Sequence, residues 1–353
     1  MTILHDTAVR GFASDNYSGV HPRILDAISR ANGGHQISYG EDQYTEELGN
    51  VARTVFGEDA AIFPVFNGTG ANVTALQSLL PRWGAVICAT TAHINVDENG
   101  APERVGGFKL LQVATPDGKL TPELIDQEAW GYGDEHRAQP LAVSITQATE
   151  LGTLYSPEEI KAITEHAHKL GMKVHLDGSR LSNAAASLGV PLRALTTDVG
   201  VDIVSLGGTK NGILLGEGIL TLRKDLAQDM KYLRKMNMQL GSKMRFISAQ
   251  LIELYGTDLW RELASHSNSM ASKLSTAVER IDGVELVYPT QANGVFAQLP
   301  TEVSDELRKH FRFYDWDRAA GEVRWMCSFD TTEQDVAAFI SKLQELMAAH
   351  RAA

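Results

Sequence analysis

The sequence predicts a doubly wound α/β protein with a mainly parallel sheet, followed by a smaller C-terminal α+β domain. Three observations carry this. Short, nearly continuous apolar runs alternate with helix-patterned segments through the first two thirds of the chain. Such runs suit strands buried on both faces of a parallel sheet. One of the intervening helices carries a full set of start and stop signals. The texture then changes near Leu251, where the runs give way to one long amphipathic segment and shorter strands.

In order, the strand candidates are "AAIFPVF" (60–66), "AVICAT" (85–90), "KLLQVAT" (109–115), "LAVSITQ" (141–147) and "MKVHLDG" (172–178). The last is the first half of "VDIVSLGGTKNGILLGEGIL" (201–220). "NGTGANVTALQSLL" is a glycine turn that opens into a helical pattern. The clearest helix is "SPEEIKAITEHAHKLG": Ser156 is the N-cap, Pro157 sits at N1, Glu159 completes a capping box and Gly171 ends it. Strands alternating with helices imply a doubly wound sheet, with ligands bound beyond the carboxyl ends of its strands. "DLWRELASHSNSMASKLSTAVERI" reads as one long helix, "VELVYP", "NGVFAQL" and "EVRWMCSF" as strands, and "TEQDVAAFISKLQELMAAH" as a terminal helix. The expected division is residues 1–250 and 251–353.

Composition narrows the partners. Of 353 residues, 43% are hydrophobic and 22% charged, an ordinary globular balance. A formal net charge of -12 disfavours nucleic acid or an anionic membrane as the main partner and leaves small ligands open. Cys88 and Cys327 are too far apart to suggest a disulfide framework or a metal site. No apolar run approaches the roughly 20 residues that span a bilayer, and "MTILHDTAVRGFASDNY" lacks a signal-peptide apolar region. A cytoplasmic protein is expected. His166 and His168, two apart on a helix, do not share a face and make poor metal ligands. His175 lies within a strand and is expected in the core. "DQEAWGYGDEHRAQP" (126–140) is expected to be a solvated loop.

The strand ends hold the chemistry. Asp177 follows "KVHL", Lys210 follows "DIVSLGGT", Gly68 and Thr69 follow "AAIFPVFN", and His93 follows "VICATTA". Each residue alone has a plainer reading. Asp177 suits a helix cap, His93 a turn or core histidine, Gly68-Thr69-Gly70 a βα turn that binds nothing, and Lys210 a surface turn. Together they offer one sheet edge an amine, a carboxylate, an imidazole and an anion-binding helix start. A lysine amine forms a Schiff base with an aldehyde cofactor. Pyridoxal phosphate needs such a lysine, a carboxylate facing its pyridine nitrogen, and a phosphate site. Asp177 would keep the ring nitrogen protonated, His93 would stack on the ring, and Gly68 and Thr69 would hold the phosphate.

"HLDGSRLSNA", "GGTKNG", "FNGTGAN", "ASDNYSG" and "VRWMCSFDTTEQDV" resemble the threonine aldolase family of pyridoxal-phosphate enzymes, in the branch of low-specificity L-threonine and phenylserine aldolases. The resemblance runs over roughly residues 10–345 with the motifs in order. It implies the aspartate-aminotransferase-like fold (fold type I) and a homotetramer built from dimers, with active sites at the dimer interface. It implies Lys210 as the Schiff-base lysine, Asp177 as the ring-nitrogen partner and His93 as the stacked histidine. Ser14, Arg180 and Arg324 are implied to grip the substrate carboxylate, with Arg180 also touching the cofactor. A guanidinium pairs bidentately with a carboxylate, although Arg324 by itself reads as an ion pair on a strand. Lys235, Lys243 or Arg245 in "KMNMQLGSKMR" is implied to approach the phosphate from the neighbouring subunit.

One departure stands out. Where many family members carry a second histidine in an "NTHNG"-like loop, this chain has "QATELG", with Glu150 at that position. The group that takes the substrate hydroxyl proton stays open between His93, Glu150 and an ordered water. The expected reaction is cleavage of L-threonine, L-allo-threonine or a related β-hydroxy-α-amino acid to glycine and an aldehyde. The same residues also suit an eliminating lyase or dehydratase giving a keto acid and ammonia, or a silent relative that only binds the cofactor. Bond orientation selects among such reactions.

Overall fold

The apolar runs pair into one sheet of seven strands: β1 (Ala61–Val65), β2 (Gly84–Ala89), β3 (Lys109–Val113), β4 (Gln139–Thr146), β5 (Lys173–Gly178), β6 (Ile203–Leu206) and β7 (Glu217–Thr221). A computed structural model describes residues 3–352, so the outermost limits of the expected division, residues 1 and 353, lie outside the described residues. The strand order is β1-β7-β6-β5-β4-β2-β3. Every residue of β2, β6 and β7 is buried, as strands covered on both faces require.

Only β7 runs against its neighbours. The sequence shows a single apolar stretch from Val201 to Leu220, and the structure divides it into β6, a loop and β7. The loop is too short for the helical crossover that a parallel return needs, so the chain comes back antiparallel. That loop carries Lys210. Pairing of Asp177 with Ser205 and of Gly178 with Leu206 brings the end of β5 level with the end of β6. A Cβ on Gly207 would stand 2.4 Å from the Ser179 carbonyl oxygen, so only glycine lets the two strand exits approach this closely.

Helices cover both faces. The helix Pro157–Lys169 begins with the expected capping box: Glu159 N donates to Ser156 Oγ at 3.2 Å, and Ser156 N donates to Glu159 Oε2 at 2.7 Å. His175 sits in the core of the sheet as expected, bonded to Ser144 and Ser205 on the flanking strands at 2.9 Å each. Burial pushes its pKa down to about 4, so it stays neutral. His166 and His168 bond separate carboxylates, Asp126 and Asp202. The 126–140 loop is more ordered than its composition suggests: the Arg137 guanidinium lies 3.5 Å from the centre of the Trp130 ring and bonds Glu128.

A second, four-stranded antiparallel sheet has the order β10-β11-β9-β8, with β8 (Glu285–Leu286), β9 (Gly294–Gln298), β10 (Tyr314–Asp317) and β11 (Glu322–Met326). The strand expected in "VELVYP" shrinks to two residues, cut short before Pro289, which has no N–H for the ladder. β10 was not legible, because its alternating acidic residues suit an edge strand with little apolar signal. The helix Leu259–Val278 serves two cores. Leu259, Trp260 and Leu263 pack with the large sheet, while Met270, Leu274 and Val278 pack with the small one. Phe12, from the N-terminal segment, also joins the small core, 4.7 Å between ring centres from Phe339.

Candidate active site

The carboxyl edge of the large sheet opens into a cavity of about 300 Å³. Gly68, Thr69, His93, Asp177 and Lys210 all line it. Its floor is β5, which presents a buried Asp177. One wall is the start of the helix Gly68–Leu79, capped by Asn67, whose side chain accepts from Gly70 N at 2.7 Å. A Cβ on Gly68 would meet nothing within 4 Å, so the first turn of this helix leaves open space for an anion.

Asp177 is fixed on both oxygens. Oδ2 accepts from Asn72 Nδ2 at 2.9 Å and Oδ1 accepts from Ser179 N at 3.0 Å. Burial works to raise its pKa, but the charges of His93 and Lys210 and the Asn72 bond hold it below the ordinary carboxylate value. Asn72 Nδ2 also donates to Glu98 Oε1 at 2.8 Å, and His93 Nδ1 donates to the same oxygen at 2.8 Å. The Glu98 side chain has no exposed surface. Its hydrogen bond raises the His93 pKa above the ordinary value. Asn72 and Glu98 were missed in the sequence. Asn72 lies three residues after Thr69, one helical turn on, and Glu98 lies five after His93 in a polar stretch that gives no periodic signal.

Lys210 occupies a single turn, Thr209–Asn211, at the mouth of β6. Burial, and then the positive charge of Arg180, lower its pKa, which enriches the neutral, nucleophilic amine. The turn is tied from outside: Asn211 Nδ2 donates to the Trp260 carbonyl at 3.1 Å, and Tyr255 Oη donates to the Gly207 carbonyl. Glu217 also lines the cavity, accepts from Gly208 N, and is pushed up to about 7 by burial.

Arg180, Arg324 and Glu150 line a smaller cleft alongside, with Asn293 and Phe296. Glu150 joins the two spaces, because its Oε1 accepts from His93 N at 2.7 Å. Burial and then the charge of Asp177 push the Glu150 pKa up to about 7. Arg180 is held in a two-point pair: Nε donates to Asp15 Oδ2 at 2.7 Å and Nη2 to Asp15 Oδ1 at 3.0 Å. Arg324 rests over the Trp316 ring and has a buried Nε without a hydrogen-bond partner among the described residues. Ser14 lines neither space; its Oγ accepts from Asn16 N at 3.2 Å. Lys243 and Arg245 line a separate groove with Ile37 and Asp42, and Lys235 sits over Tyr39, so none of the three lines the cavity of its own chain.

The profile of the family described as beta-eliminating lyase matches residues 11–301. A low specificity L-threonine aldolase from a Pseudomonas species is 44% identical over 340 residues, covering 96% of this chain and 98% of that one. The protein of the same name from Pseudomonas aeruginosa is 43% identical with the same coverage. Among solved structures, the threonine aldolase of Leishmania major has a TM-score of 0.89 at 30% identity, covering 95% of this chain and 99% of that one. An Oryza sativa TDC solved with PLP and tryptamine is 14% identical with a TM-score of 0.76, covering 96% of this chain and 84% of that one, and shares the fold alone. The fold is that of fold type I pyridoxal-phosphate enzymes. The chain belongs to the beta-eliminating lyase family and within it is similar to the low specificity L-threonine aldolases.

Proposed function

We propose that this protein is a pyridoxal-phosphate-dependent aldolase. It cleaves L-threonine, L-allo-threonine or related β-hydroxy-α-amino acids such as phenylserine, reversibly, to glycine and an aldehyde. The observation that carries the reading is 44% identity across 96% of the chain to an enzyme of that name.

The donor set fits the cofactor. A buried amine of lowered pKa, an ionised carboxylate on the floor and an open helix start surround one cavity of suitable size. Lys210 would hold the aldehyde carbon, Gly68 and Thr69 the phosphate, Asp177 the ring nitrogen, and His93 would pack against the ring. When bound, the cofactor supplies an electron-withdrawing ring that accepts the electron pair released at the substrate's α-carbon.

The chain's own residues do the rest. Asp177, kept ionised, holds a proton on the ring nitrogen. Arg324 and Arg180 would bind the substrate carboxylate and so set the orientation of the bonds at the α-carbon. Glu150 takes the β-hydroxyl proton, since a carboxyl titrating near neutral pH is matched to that task. His93 already donates Nδ1–H to Glu98, which leaves Nε2 to face the substrate.

A homotetramer of paired dimers belongs to the same reading. Leu214 and Leu215, next to the Lys210 turn, are 55% and 47% exposed, and Met236 and Met238 are open as well. A second copy would cover these apolar side chains. Lys235, Lys243 or Arg245 would then serve the neighbouring subunit's phosphate. Sedimentation mass tests this; a monomer with full activity would sink it.

Product analysis tests the reaction. The purified holoenzyme is incubated with L-threonine, L-allo-threonine and phenylserine, and assayed for aldehyde plus glycine and, separately, for keto acid plus ammonia. Aldehyde with glycine is the expected outcome. Keto acid with ammonia would move the protein to the eliminating lyases, and no product with either assay would mark a silent relative. Lys210→Ala should abolish turnover.

A further inference from the structure

The Arg180 guanidinium is not free to take a substrate carboxylate edge-on. Two of its three nitrogens, Nε and Nη2, are already paired with Asp15. The Asp15 side chain has no exposed surface, and its Oδ2 also accepts from Asn293 Nδ2 at 3.1 Å. Burial works to raise the Asp15 pKa, but Arg180, Lys210 and Asn293 together hold it below the ordinary carboxylate value, which favours the anion. Beside this pair stands Arg324, whose buried Nε has no partner and whose Nη2 makes only a long contact, 3.4 Å, to the Ala13 carbonyl.

The segment that carries Asp15 is anchored to the small sheet. Phe12 N donates to the Arg312 carbonyl at 2.8 Å, Met326 N donates to the Phe12 carbonyl at 2.7 Å, and the Phe12 ring is in the small core. Arg180, by contrast, lies two residues past β5 and directly precedes the helix Leu181–Leu188 beside the large sheet. The ion pair therefore links the two halves across the substrate cleft, and it is buried, where such pairing is least screened.

We propose that Asp15 is a specificity-determining positioning residue that restricts this cleft to a single carboxylate. The inference rests on the reading of Arg180 and Arg324 as the carboxylate-binding pair. Asp15 offsets the charge of Arg180 and occupies its Nε and Nη2, so that only Nη1 is left outside the pair. Arg324 is then the one guanidinium there without a carboxylate partner. Glu150 also lines this cleft and supplies no positive charge to a second substrate carboxylate. Amino acids with one carboxylate are accepted, and those with an acidic side chain are rejected because no second uncompensated cation meets the extra carboxylate in this low-dielectric space.

The test is a spectrophotometric titration of the cofactor absorbance of the holoenzyme with glycine and with L-aspartate, for the wild type, Asp15→Asn and Asp15→Glu. The wild type should bind glycine and reject aspartate. Asp15→Asn keeps the shape but removes the charge. It should move the aspartate-to-glycine Kd ratio toward aspartate by at least about tenfold, which is about 1.4 kcal/mol. Asp15→Glu should restore most of the discrimination. A ratio unchanged within about twofold in Asp15→Asn, with the cofactor still bound, overturns the proposal. So does an Asp15→Glu variant that behaves like Asp15→Asn, since shape rather than charge would then be responsible. A wild type whose absorbance responds to aspartate as readily as to glycine overturns it as well. A wild type that responds to neither removes the carboxylate pair itself, and Asp15's role with it.

Discussion

His93 Nδ1 donates to Glu98 Oε1 at 2.8 Å, and that same oxygen accepts from Asn72 on its way to Asp177. A buried carboxylate thus sets the tautomer of the imidazole and, through one amide, shares in the orientation of the acid on the cavity floor. Replacing Glu98 with Gln should lower the His93 pKa, measurable by NMR titration of its ring protons. The sign follows from the raised folded value: the stabilisation from charged His93 is full below its unfolded pKa and fades as pH rises through the folded one. The stability gap between the wild type and Glu98→Gln should therefore narrow from pH 6 toward alkaline pH. A gap that widens would show that Glu98 acts on something other than the imidazolium.

The pH profile of turnover should carry a rising limb with an apparent pKa near 7, because Glu150 must lose its proton to act as the base and burial holds it there. Glu150→Gln should remove that limb and lower kcat by about 10²- to 10⁴-fold. If the limb persists unchanged in the variant, His93 or a water is the base.

Asp177→Asn should leave the cavity its shape and its Asn72 neighbour while losing the negative charge that β5 presents there. The ring nitrogen of the cofactor would lose its proton, and kcat should fall by roughly 10²- to 10³-fold, the scale of losing a preorganised electrostatic partner. A rate within threefold of the wild type would remove Asp177 from the mechanism.

Gly207→Ala tests the close approach of the two strand exits. The added Cβ would lie 2.4 Å from the Ser179 carbonyl oxygen, so backbone must move. A cost of about 1–3 kcal/mol is expected from overpacking. Because Lys210 is three residues on, the visible cofactor absorbance per subunit should fall too. Full cofactor content with unchanged stability would show that the loop shifts freely.

Phe339 is fully buried among Phe12, Phe311, Phe313 and Trp325, with the Trp325 ring centre 5.0 Å away. Phe339→Ala should cost about 3–5 kcal/mol, read from the denaturant midpoint at fixed protein concentration. Since Phe12 leads directly to the segment bearing Asp15, substrate affinity should weaken before the cofactor is lost. Loss of cofactor first would show that the small core does not support the substrate side.

Much of this was legible in order along the chain. The strand runs, the capping box at Ser156 and Glu159, and the placement of Gly68, His93, Asp177 and Lys210 at strand ends all follow from local patterning, because each depends on neighbours within a few residues. β7 was hidden inside a longer apolar stretch, and β10 behind its acidic alternation. The pairing of Arg180 with Asp15 joins residues 165 apart, and Asn72 reaches Asp177 across 105. No spacing rule reaches that far.

The sequence by itself determined the class of fold, the cofactor chemistry and the residues at the strand exits, since apolar periodicity and short motifs are properties of the chain alone. Tertiary structure decided which of those residues share a space. It put Lys210, Asp177 and His93 around one cavity, set Arg180, Arg324 and Glu150 in a second, and left Lys235, Lys243 and Arg245 outside both. It also decided their charge states: burial and neighbours lower Lys210, hold Asp177 ionised and bring Glu150 to about 7, and each of those depends on groups from separate stretches of chain that meet only when the sheet forms.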